Sequence, residues 1–250
     1  MSIHAGLIVN ADDLGLSKSV NKAILFCYEN GYINSSSIIT NTPIFDETAQ
    51  LVHNNSIVIN LGVHINFAEG KPLTNFKYDE YLNKNGEWDL EKTKKYSNSL
   101  NAEVKNAFQT ELYAQVDKAL SSNLNITHID SHYHLHILPC FYDLFIKAAK
   151  KYNIKLRLAQ LSHEQNVVKY LYRLYINSKI KLNNHNYSAK FENLGEFLKK
   201  LPNKNQNIEL MVHPQFDELG NLTDSVDAIG FAQWVKHASL EAHNLLLNSK

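Results

Sequence analysis

The chain of 250 residues is 44% hydrophobic and carries 25 Lys and Arg against 25 Asp and Glu, so its formal net charge is zero. That length suits one large α/β domain, and the balanced charge implies no basic face for nucleic acid or anionic membrane, leaving a small neutral molecule as the expected partner. Cys27 and Cys140 are the only cysteines, the start Met1-Ser2-Ile3-His4-Ala5 lacks a basic region followed by a long apolar stretch, and no apolar run approaches the roughly 20 residues that span a bilayer; a reducing, cytoplasmic location is expected.

In chain order, Gly6 to Ala11 reads as a strand, and Ser17 caps a helix running to about Asn30 that Gly31 stops. Ser35 to Thr40 and Ile57 to Ile65 are the next two strands. The polar stretch from Glu69 to about Asn101 is too long for a simple loop and is expected to be a lid inserted at about 69–101. Val104, Phe108, Leu112, Val116 and Leu120 recur at helical spacing ahead of a strand carrying a histidine run, and Pro139 after it suits the first turn of another helix. Further strands are expected at Ile154 to Ala159 and at Asn207 to Val212, with a helical, irregular stretch from Leu161 to Leu201 between them and a last helix from about Ser225 towards Leu247. There is no internal repeat and no low-complexity linker, so residues 1–250 are expected to form a single domain on a parallel sheet.

Chemistry concentrates in two places. Asp12 and Asp13 close an apolar run, and adjacent half-buried carboxylates are costly unless a cation sits beside them. The pair alone would also fit a helix N-terminus, where the dipole favours acids. Thr127 to His136 holds histidines at 128, 132, 134 and 136 with Asp130 among them, and an extended segment would put all of these on one face. Imidazole and carboxylate are suitable ligands for a divalent cation. Asp12 and Asp13, His64, His132, Arg157 and His213 each fall at or just beyond the C-terminal end of a separate expected strand. Barrel enzymes collect their reactive groups there, so a (β/α) barrel-like α/β fold, an incomplete or distorted TIM-type barrel, is favoured over an open sheet.

Asn10-Ala11-Asp12-Asp13-Leu14-Gly15-Leu16-Ser17, Gly62-Val63-His64-Ile65-Asn66 followed by Glu69-Gly70-Lys71-Pro72-Leu73, the run from Thr127 to His136, and His213-Pro214 together resemble the YdjC-like carbohydrate deacetylases, which include the chito-oligosaccharide deacetylases. The resemblance covers about residues 6 to 160 and 207 to 216. It implies a barrel-like fold, often with fewer than eight strands, one divalent metal, and hydrolysis of N-acetyl groups on sugars; a homodimer is implied at the same level. Carried over residue by residue, Asp13, His64 and His132 are the metal ligands, Asp12 the general base, His213 the general acid for the leaving amine, and Arg157 the group that holds Asp12. Two imidazoles and one carboxylate leave coordination positions open, as a catalytic site requires. Zn²⁺ fits on affinity, while Mg²⁺, Mn²⁺ and Co²⁺ fit a carboxylate-rich surround. The chain departs from the family in Leu14, where Phe is usual, and in Gln215, where Gly is common.

His128, His134 and His136 cannot all ligate beside His132 and are expected as supporting partners, with Asp130 orienting a neighbouring imidazole. Glu69 reads equally as a solvated loop residue or a substrate contact, Arg157 equally as a structural ion-pair residue or a catalytic one, and Trp88 as packing. The expected function is removal of N-acetyl groups from an amino sugar or short oligosaccharide. A metal-dependent phosphoesterase and a non-catalytic metal- or sugar-binding protein are the alternatives, the last disfavoured by the spare carboxylate of Asp12.

Overall fold

The computed structural model describes residues 6–96, 100–161, 166–183, 188–192, 194–200 and 207–248. The first strand, β1 (Leu7–Leu14), is buried along almost its whole length, as a central parallel strand covered on both faces must be. It extends past the expected end at Ala11 and carries both aspartates inside it. Helix α1 (Lys18–Glu29) starts where Ser17 Oγ accepts from the Val20 amide and stops at Asn30, with Gly31 at φ +70°. Strand β2 (Ser35–Ile38) buries three consecutive serines, whose hydroxyls are all hydrogen-bonded. Helix α2 (Phe45–Asn54), which the sequence reading left out, has no side-chain cap. Strand β3 (Leu61–Ile65) begins later than Ile57, and both Ile57 and Ile59 are exposed.

The stretch from Glu69 onward contains a short 3-10 turn at Asp79–Tyr81 and helix α3 (Leu90–Tyr96). Phe76, Tyr81 and Trp88 are buried and pack on Phe108, which also touches Phe67 and Phe141. Buried Glu111 accepts from the amides of Leu73 and Thr74 at 3.0 and 2.8 Å, tying the start of this stretch to helix α4 (Ala102–Ser121). Along α4 the expected stripe is buried at Val104, Phe108, Leu112 and Val116, but Ala119 takes the place of Leu120, which is exposed. Strand β4 (Ile126–Ser131) ends before the histidine run does. Helix α5 (Tyr142–Tyr152) starts three residues beyond Pro139 and leads to the short β5 (Lys155–Leu156).

The described part of the next stretch holds α6 (Val167–Asn183), β6 (Lys190–Glu192) and α7 (Leu194–Lys200). The irregular remainder expected between 161 and 201 falls partly at 162–165 and 184–187, outside the described residues. Then come β7 (Ile208–Val212), an antiparallel hairpin of β8 (Pro214–Phe216) and β9 (Leu222–Asp224), and α8 (Ala228–Asn248). Among the described residues no helix is long and apolar enough to cross a membrane.

Among the described residues the main sheet has seven strands in the order β5-β4-β3-β2-β1-β7-β6, every pair parallel. It is curled. In a flat sheet β5 would stand about 19 Å from β1, four steps of roughly 4.8 Å, yet Arg157, just after β5, reaches Asp12 on β1 at 2.8 Å. The amide of Ser188, just before β6, donates to the Leu156 carbonyl of β5 at 2.9 Å, which bridges the two edges. The architecture is thus the incomplete form of the expected barrel, with helices around it. Because the strands run one way, everything at their C-terminal ends faces one mouth.

Candidate metal centre

Consecutive residues of a regular strand point to opposite faces, so Asp12 and Asp13 can share a site only if β1 is irregular. It is: the register against β2 shifts between Ala11 and Leu14, and Asp13 sits at φ +72°, a conformation that strains a residue with a Cβ. The shift aims both carboxylates at the barrel mouth.

Asp13 Oδ1 lies 3.2 Å from His64 Nε2, at the end of β3, and 2.8 Å from His132 Nδ1, just past β4. The oxygen is buried and, among the described residues, makes no properly aligned hydrogen bond. A carboxylate oxygen facing two imidazole nitrogens without such a bond is how ligands converge on a common cation, and the spacing suits ligands sharing an ion through bonds of about 2.0–2.2 Å. The second nitrogen of each ring is backed by an acid: His64 Nδ1 by Asp130 Oδ1 at 2.7 Å, and His132 Nε2 by Glu69 Oε1 at 2.9 Å. Carboxylates behind ligating imidazoles fix ring orientation and raise ligand basicity. Asp13, His64 and His132 therefore fit a divalent ion, and the sequence reading named all three.

The electrostatics agree. Burial acts to raise the Asp13 carboxyl, but His132 and His64 outweigh it and hold it well below the usual carboxylate range. Burial lowers His64, yet Asp130 and Asp12 push it up to about 10. Burial likewise opposes, and Asp13 and Glu69 overcome, a rise at His132. These shifts favour the protonated rings in the metal-free protein, and a bound cation would take the place of the protons.

Asp12 is fully buried, with Oδ2 on Arg157 Nη1 and Oδ1 on Nη2, both at 2.8 Å, and Asn10 Nδ2 donates to Oδ1 at 2.7 Å. Burial raises its carboxyl, but Arg157 and His64 hold it well below the ordinary value. Arg157 is completely buried and also lies 2.8 Å from Asp130 Oδ2 and 2.6 Å from Glu209 Oε1. Ser37 Oγ donates to Asp130 Oδ2 at 2.9 Å and accepts from Asn10 Nδ2 at 3.2 Å, linking β1, β2 and β4 beneath the ligands.

The histidine run does not lie on one extended face. After Ser131 the chain turns through a 3-10 segment, His132–Ile137, in which Tyr133 and His134 adopt φ of +53° and +54°. The period-two expectation therefore holds only as far as His132. His128 points inward, where its Nε2 meets Asn10 Oδ1 at 3.1 Å, and its ring fills the space beside Gly62, where a Cβ would come within 2.4 Å. His136 Nδ1 pairs with Ser131 Oγ at 2.7 Å. His134 lines the cavity, and burial and then Arg157 pull it down to about 4, so it is neutral. Tyr133 is exposed at the mouth.

The cavity above these groups is about 400 Å³, with Asp12, Asp13, His64 and His132 among its lining. His213, in the link from β7 to β8, lines it too, and Asp224 of β9 accepts from its amide. The structure therefore brings together all six residues singled out from the sequence. Trp88 is buried in the aromatic core.

Glu209 was missed, although a lone acid inside Ile208-Glu209-Leu210-Met211-Val212 is itself a signal, since a strand buried on both faces seldom carries a charge without a partner. Ser37 gave no comparable signal, because a serine in a strand reads as neutral.

A sequence model of the YdjC-like protein family matches residues 6–243. A carbohydrate deacetylase of Thermoanaerobacter pseudethanolicus is 33% identical over 87% of this chain and 84% of its own. One from Vibrio parahaemolyticus is 29% identical over 84% of this chain and 78% of its own. A crystal structure from Enterococcus faecalis, provisionally described as that of a cellobiose-phosphate cleavage protein, superimposes with a TM-score of 0.70 over 94% of both chains at 20% identity, which speaks for the fold alone.

Proposed function

Since the chain belongs to the YdjC-like protein family, we propose that it is a metal-dependent carbohydrate deacetylase, hydrolysing the N-acetyl amide of an amino sugar or short N-acetylated oligosaccharide. Relatives named carbohydrate deacetylase support the reaction class. The observation that carries the metal dependence is the buried Asp13 oxygen without an aligned hydrogen bond between His64 and His132, with a second carboxylate, Asp12, beside it.

Asp13, His64 and His132 would hold the ion, Zn²⁺ or Mg²⁺ in the first instance. When bound, a divalent cation supplies Lewis acidity, polarising a carbonyl and bringing the pKa of water from about 15.7 towards about 7. Asp12 takes the proton of the attacking water. Among the described residues its Oδ2 carries only the Arg157 bond, which leaves a lone pair for that purpose. Arg157 holds the carboxylate in place and ionised. As the carbonyl C–N bond breaks, His213 gives a proton to the departing nitrogen, so the products are acetate and a free amino sugar. Neutral His134 offers the sugar a hydrogen-bonding group on the cavity wall. We place the enzyme in the cytoplasm and take a homodimer as its assembly.

The test is metal analysis of the purified protein coupled to an acetate-release screen over mono-, di- and trisaccharide N-acetyl substrates. Metal-dependent acetate release from one of them is expected. Phosphate release from sugar phosphates without acetate would replace this reading with a phosphoesterase.

A further inference from the structure

Glu209 lies below the reacting groups and is nearly fully buried, with its carboxylate on Arg157 Nε at 2.6 Å. The two terminal nitrogens of the same guanidinium are already matched, Nη1 to Asp12 and Nη2 to both Asp12 and Asp130, each at 2.8 Å. Asp130 continues to His64 Nδ1 at 2.7 Å. One buried guanidinium thus faces three buried carboxylates, with Asp13 a fourth acid alongside and His64 the neighbouring group able to carry positive charge. Asp12 and Asp130 alone would satisfy the terminal nitrogens. The third acid leaves an excess of negative charge in a dry interior, which is unfavourable by itself and favourable next to a bound cation.

We propose that Glu209 is a positioning residue for the metal centre. Acting through Arg157, it orients the guanidinium towards Asp12 and Asp130 and supplies the surplus negative charge that strengthens divalent-cation binding at Asp13, His64 and His132. The inference rests on the cation site of the preceding reading and is independent of which sugar is processed.

Glu209→Gln is the discriminating change, because the amide oxygen still accepts from Arg157 Nε while the charge is gone. Zn²⁺ titration of the full chain after removal of metal by chelation, by calorimetry, should give affinity about tenfold weaker than wild type, the lower end of what losing a partner behind the ligands costs. Melting of the same metal-free samples should show Glu209→Gln close to wild type, because the charge assistance lost at Arg157 Nε is offset by relief of repulsion among the remaining acids; a purely structural role predicts a clear fall. Glu209→Asp, which keeps the charge, should retain most of the Zn²⁺ affinity. Unchanged affinity in Glu209→Gln, or a metal-free Glu209→Gln that melts well below wild type or does not fold, overturns the proposal. Wild-type protein that binds no Zn²⁺ overturns it together with the metal centre. Acetate release by wild type, assayed in parallel, decides the enzymatic reading separately, and its absence leaves the Zn²⁺ comparison standing.

Discussion

Replacing Asp12 by asparagine separates the base from the ligand within the aspartate pair, and the structure sets the size of each effect. Asp12 accepts two charged hydrogen bonds from Arg157 and one from Asn10 Nδ2. An asparagine keeps one acceptor oxygen and turns an NH₂ group towards those donors, so at least one charge-assisted bond is lost. Such a bond contributes about 1.5–3 kcal/mol. Arg157 retains Asp130 and Glu209, so its charge is not stranded, and the loss should stay near about 2 kcal/mol. For a chain of this length that is a fall in Tm of roughly 4–8 °C, leaving the protein folded at assay temperature. The ligands Asp13, His64 and His132 are untouched, so metal content should remain near normal. Turnover should fall about 10²-fold or more, equivalent to about 2.7 kcal/mol of transition-state stabilisation. Metal content by elemental analysis, melting, and acetate release measured on one preparation test all three terms. Loss of metal in Asp12→Asn, or turnover within a few-fold of wild type, would refute the division of labour.

Asp13→Ala, His64→Ala and His132→Ala should each lose bound metal and activity, because three protein ligands leave no redundancy, whereas His128→Ala should retain metal; full occupancy in His132→Ala would remove that residue from the ligand set. His213→Ala should keep the metal and lose far more rate on the natural amide than on an activated acetyl ester, whose leaving group needs little protonation; equal losses on both would remove His213 from the acid role. The pH response should invert on metal removal. In the metal-free protein His64 is raised from an ordinary value near 6.5 to about 10, burial opposing and Asp130 and Asp12 prevailing. Its contribution is therefore fully present below about pH 6.5 and lost as pH rises through about 10, so Tm of chelator-treated protein should decline across that window and the decline should shrink in His64→Asn. Metal binding requires the neutral ring, so Zn²⁺ affinity should instead rise over the same range. A metal-free Tm that is flat or climbs with pH would contradict the His64 assignment.

The candidate ligands were legible because their chemistry is local. Two adjacent carboxylates at the end of an apolar run, a histidine at the end of a strand and a histidine-rich segment are conspicuous in any order of reading, and their positions at strand ends point to one mouth of a parallel sheet. The capped helix after Ser17 and the apolar stripe along α4 were equally visible, since Ser17 accepts from an amide within its own helix's first turn and residues at helical spacing share a face. Helix α2 was not, because it has no capping side chain. Nor was the turn that ends the histidine run: the left-handed backbone at Tyr133 and His134 carries no glycine to announce it. Least legible was the group beneath the ligands. Arg157 meets Asp12 across 145 positions and Glu209 across 52, and Ser37 meets Asp130 across 93. Those contacts exist because the sheet curls until β5 faces β1 and β7. Side-chain type and spacing along the chain therefore determined which atoms could bind a cation, while only closure of the sheet decided which buried charge stands behind each of them.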